Sequence, residues 1–151
     1  MSIQILNNKI LRGYISSRNI NNSFYPQNLQ NLLIRTFSNE NKINLQLSGT
    51  EWNIENSFLM LRSIIKQKND GIIFFSLFQL YENTQSFRYF AEKILRKKKI
   101  LVFCLENIVI SKKRDIKVIL NSLRIYKINK SNNYKENINN LKKIKKSLSN
   151  F

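Results

Sequence analysis

The chain has 151 residues, a net charge of +17 and an apolar share of 42%, which suits one domain with its own core and no membrane-spanning helix. One cysteine, Cys104, and no histidine exclude an internal disulfide, the common zinc and haem ligand sets, and every Ser-His-Asp or Cys-His pairing, so neither a metal nor a cofactor is expected. The charge is unevenly spread: residues 111–151 hold 12 basic and 2 acidic side chains, and the wealth of Lys, Asn and Ile throughout matches the drift of an A/T-rich genome.

The N-terminal MSIQILNNKI lacks a basic stretch followed by a long apolar one, so a cytoplasmic location is expected. Ile10–Ile15 reads as a strand that runs into the polar loop SSRNINNSFYP. Pro26 suits a first helical turn, and Leu29, Leu32, Leu33 and Phe37 at helical spacing predict an amphipathic helix from Pro26 to about Asn41. Ile43, Leu45 and Leu47 alternate with polar residues, predicting a second strand that ends in the polar LSGTEW. Phe58, Leu61, Ile64 and Ile65 give Ser57–Lys68 one apolar helical face. Asp70-Gly71 reads as a turn, and IIFFSLF, apolar on both faces, as a central parallel strand.

Thr84 is the expected cap of a third helix through Lys99, with Phe87, Phe90, Ile94 and Leu95 inward. Its basic end, RKKK at 96–99, reads as a solvated terminus suited to the helix dipole. Ile100–Leu105 follows as a fourth strand, and Cys104 in ILVFCLENIVI reads as a small buried hydrophobe. Lys113 to about Ile128 is the expected last helix. The organisation is therefore a single α/β domain over 1–128 and a basic, Asn/Lys-rich tail over 129–151, partly helical or disordered. The order βαβαβαβα predicts an open, mainly parallel four-stranded sheet with helices on both faces, whose ligands bind at the carboxyl ends of the strands.

Several strands end in polar motifs: GYISSR, LSGTEW and SLFQLYE. Their order resembles the catalytic domain of the serine recombinases, the resolvases and invertases, over roughly residues 10–108. The resemblance implies a resolvase-like fold and brings a test of activity. The family pattern G-Y-x-R-V-S ends in the nucleophile, and Arg18 stands there, with Ser16 in the place of the pattern's arginine. The family's D-R-L-x-R box aligns with Phe78-Gln79-Leu80-Tyr81-Glu82, so both arginines and the aspartate are absent. Phosphoryl transfer needs cations aimed at the equatorial oxygens, and an active recombinase is not expected.

GYISSR, PQNLQNLLIR, LSGTEW with NSFLML, DGIIFFSLFQL and CLENIVI, in this order, also resemble the small bacterial proteins of the sporadic carbohydrate cluster family over about residues 11–125. Tyr81 departs from that pattern, where proline is usual, and CLEN replaces F-A-x-E. The resemblance implies a part in cell-surface polysaccharide or modified-sugar biosynthesis, as an accessory or an enzyme. The expected partner is a sugar or sugar nucleotide.

The expected ligand-binding residues are Ser16, Ser17 and Arg18 after the first strand, Gln27, Gln30, Asn31 and Arg35 on the first helix, Ser48 and Thr50 after the second strand, Ser76 and Gln79 on the third, and Glu106 after the fourth. Amides and hydroxyls suit a polyhydroxylated ligand, and Arg18 or Arg35 can grip a phosphate in a bidentate fork. Glu51 is the candidate catalytic carboxylate, since no histidine is present to move a proton. The aromatic residues Phe74, Phe75, Phe78, Phe87 and Phe90 read as core. Two alternatives stay open: a nucleic-acid-binding pseudo-resolvase held by its basic tail, and a non-catalytic interaction module, for which a homodimer is an expected form.

Overall fold

In the computed structural model, residues 3–54, 57–81, 83–126 and 128 are described. Glu82 and the tail, 129–151, lie outside them. A compact α/β unit, Met1–Ile116, is followed by a second unit that begins at Lys117. A 3-10 turn at Ile3–Leu6 precedes β1 (Ile10–Ser16), α1 (Gln27–Glu40), β2 (Asn44–Glu51), α2 (Leu59–Lys66), β3 (Gly71–Phe74), α3 (Thr84–Arg96), β4 (Ile100–Phe103) and β5 (Ile108–Ile110). Residues 113–126 form α4. No described helix is long and apolar enough to cross a membrane.

The sheet order is β2-β1-β3-β4-β5, with β1 to β4 parallel. β5 is antiparallel to β4. Four strands were expected; the fifth arises because ILVFCLENIVI folds back on itself at Cys104–Asn107, with Asn107 at φ 54° making the turn. The crossover direction reverses between β1 and β3, so the carboxyl ends of these two strands mark the switch point.

The strands alternate their side chains between two cores. Leu11, Ile15, Ile73, Phe75 and Val102 pack with Ile34 of α1. On the opposite face Tyr14, Phe74 and Phe103 form a row, Tyr14 tilted against Phe74 and Phe74 stacked on Phe103, with ring centroids 5.3 and 5.1 Å apart, and Phe87 of α3 adjoins Phe103. α2 buries Leu61, Ile64 and Ile65.

The roll of α1 differs from the one its leucines suggest. Its buried residues are Gln30, Ile34 and Ser38, while Leu29, Leu32 and Leu33 are exposed. The cause is Gln30, whose amide must face the carboxyl end of β1 to satisfy backbone groups there, and this turns the leucine stripe outward.

Three local details also depart from expectation. Asn83, not Thr84, caps α3, in a reciprocal box with Ser86. β2 continues through Ser48–Glu51, because Gly49–Glu51 pair with Tyr14–Ser16 beyond a bulge at Leu47 and Ser48, opposite Gly13. Lys99 is buried rather than solvated, and its ammonium donates to Gln67 O, Asn69 O and Asn69 Oδ1 at 2.7, 2.7 and 2.8 Å. That burial lowers its pKa, against an opposing pull from Asp70.

Candidate functional site at the strand carboxyl ends

Five of the expected residues form one hydrogen-bonded chain across the switch point. Gln30 is fully buried at the start of α1, and its Oε1 accepts from Ser16 N and Gln79 Nε2, both at 3.0 Å. Its Nε2 donates to Ser16 O and Tyr25 O, both at 2.7 Å. Two donors and two acceptors saturate a carboxamide, so this side chain clamps β1, the loop after it and the β3 turn together.

Beyond Gln79 the chain continues. Gln79 Oε1 accepts from Ser76 N at 3.2 Å. Ser76 Oγ accepts from Phe78 N and donates to Glu106 Oε1 at 2.6 Å. Glu106 Oε2 accepts from Leu77 N at 2.9 Å, so its carboxylate holds the 3-10 turn Leu77–Gln79 from the β4–β5 turn.

A second cluster lies beside it, at the end of β2. Glu51 is 3% exposed. Its Oε2 accepts from Leu61 N in the first turn of α2 at 3.1 Å and from Tyr14 OH at 3.4 Å, so its charge complements the positive end of that helix. Glu51 O accepts from Ser17 N and Ser17 Oγ. Arg18 N donates to Ser16 Oγ at 3.0 Å, and its guanidinium lies over the Phe58 ring, 4.5 Å from the centroid.

Ser17, Arg18, Gln27, Asn31, Thr50 and Glu106 are half-buried, and of the expected set they are the groups at this end that solvent reaches. Arg35 and Ser48 lie elsewhere: they line a cavity of about 670 Å³ between α1 and β2, with Ile10, Asn39 and Leu45. Tyr14 and Phe58 escaped the sequence reading. Tyr14 sits inside an apolar strand, and nothing in the sequence links Phe58 to Arg18; their contacts arise from tertiary packing. Among the described residues, no group of three His, Cys, Asp or Glu side chains converges as metal ligands would.

The chain matches no family model and no curated protein. Among solved structures it is similar to the N-terminal catalytic domain of TP901-1 integrase, with a TM-score of 0.57 and 15% identity over 78% of this chain and 97% of that one. At this identity the likeness concerns the fold alone: the mainly parallel α/β sheet of this chain resembles that of the integrase catalytic domain.

Proposed function

We propose that this chain binds a sugar or sugar nucleotide at the carboxyl ends of β1 and β2, serves cell-surface carbohydrate biosynthesis, and performs no DNA strand transfer. The observation that carries the reading is the closed network at the switch point. Gln30, Ser76, Gln79 and Glu106 satisfy one another and the backbone of Ser16, so the Ser76 hydroxyl is engaged with a carboxylate, and no cation stands among the described residues of this network. Arg18 on its Phe58 platform, with Ser17, Thr50, Gln27 and Asn31 around it, supplies a cation and several hydrogen-bonding groups suited to a phosphorylated, polyhydroxylated ligand. Glu51 would take part in any turnover only after release from Leu61 N; in the bound state it positions Ser17 and α2.

The test is a thermal-shift screen against sugar nucleotides, sugar phosphates and duplex DNA, each at low and moderate salt. Stabilisation by one sugar class that survives salt and disappears in Arg18→Ala is the expected result. Stabilisation by DNA alone, vanishing with salt, would replace this reading with nucleic-acid binding through the basic tail.

A further inference from the structure

α1 turns a leucine face to solvent. Leu29, Leu32 and Leu33 are 39%, 60% and 36% exposed, although the helix is flanked by a sheet that could have taken them. Along its outer side Leu29, Leu32, Thr36 and Asn39 follow one another at spacings of three, four and three residues. These are the a and d positions of two successive heptads.

In that frame exposed Arg35 falls at g and exposed Glu40 at the following e. When two such helices lie parallel, g of one faces e of the other five residues on, so Arg35 of each copy meets Glu40 of its mate across a two-fold axis. An antiparallel pairing would set like against like. They are the charges that α1 carries, so two chains of net charge +17 can meet here on a locally neutral surface.

The surroundings leave room for a second helix. The recess lined by Arg35 and Asn39 lies on one flank of α1. A second, of about 290 Å³, lies on the other between Leu33, Phe37, Cys104 and Leu105. α1 thus stands as a ridge between two hollows.

We propose that this face is a self-association surface: two copies of the chain pair through parallel α1 helices, with Leu29 and Leu32 in the seam and reciprocal Arg35–Glu40 ion pairs fixing the orientation. The seam spans two heptads, and Thr36 and Asn39 take half of its a and d positions, so the dimer is a weak one in the micromolar range.

Sedimentation equilibrium of the full chain tests this. The expected result is a monomer–dimer equilibrium that Leu32→Glu abolishes. Arg35→Glu alone and Glu40→Arg alone should each raise the dissociation constant about tenfold, because two attractive pairs become repulsive. The double variant Arg35→Glu/Glu40→Arg should restore it. That rescue does not depend on how well Leu32→Glu folds. A wild-type chain that stays monomeric at high micromolar concentration, or a double variant no tighter than either single one, would overturn the proposal.

Discussion

Cys104 sits in the turn between β4 and β5, where burial, and after it the Glu106 charge, push its thiol up to about 12 from the ordinary 9.0. Two outcomes follow. At pH 8 the thiolate fraction is about a thousandfold below that of an ordinary cysteine, so iodoacetamide should label the native chain about that much more slowly than the urea-unfolded chain, as followed by intact mass. Equal rates would mean that the turn opens freely. Because the folded pKa is raised, the stabilising contribution is complete below pH 9 and is lost as pH climbs from 9 towards 12. Single residues were unevenly legible. The aromatic residues of β3 and α3 could be read as core, whereas the lone thiol in an apolar run, expected to be buried, is only half-buried because the chain turns at Cys104. Gln30 could be placed at the strand ends but not given its work, because its four partners come from Ser16, Tyr25 and Gln79, and no local pattern announces a bond across 49 residues.

At the scale of elements, the bulge that joins β1 to β2 depends on Gly13. A Cβ there would press into Ser48 Oγ and Cβ and lie 3.1 Å from Ser48 Cα. Gly13→Ala should therefore destabilise the chain by about 2–4 kcal/mol, through overpacking against a paired strand. Ser48→Gly removes the two nearest atoms and should recover at least about 1 kcal/mol in a double-mutant cycle read from urea unfolding. Strict additivity would place the strain elsewhere. The bulge also explains the misjudged end of β2: glycine, serine and threonine in LSGTEW carry loop chemistry, yet pairing with β1 holds them in a strand. α1 shows the same limit from the other side. Periodicity located the helix to within a residue at either end, but its roll is decided by which side chain can serve buried backbone groups, and a carboxamide outbid three leucines.

For the whole molecule, order and type of elements were readable because helical segments of a different period separate β1, β2, β3 and β4 from one another, which leaves a parallel sheet as the natural solution. β5 was hidden because a three-residue antiparallel strand continues the apolar run of β4 with only a turn between them. Charge makes a separate prediction at this scale. The ion pairs of the described residues include Arg96–Glu92 at 3.2 Å, Lys113–Glu92 at 3.9 Å and Arg114–Asp115 at 3.9 Å, and their cations are largely exposed, so such pairs offset little of a net +17. The folded state must therefore carry self-repulsion that the expanded chain relieves. Salt shortens the reach of that repulsion to about 10 Å at 0.1 M. Raising sodium chloride from low to moderate concentration at neutral pH should lift the thermal midpoint by roughly 2–5 °C, measured by circular dichroism at a fixed low protein concentration. Working at low concentration matters, because a dimer through α1 would add its own stabilisation by mass action. A flat or falling midpoint would mean that the positive charges lie far enough apart in the fold not to repel, and the basic excess would then carry no energetic consequence until a partner met it.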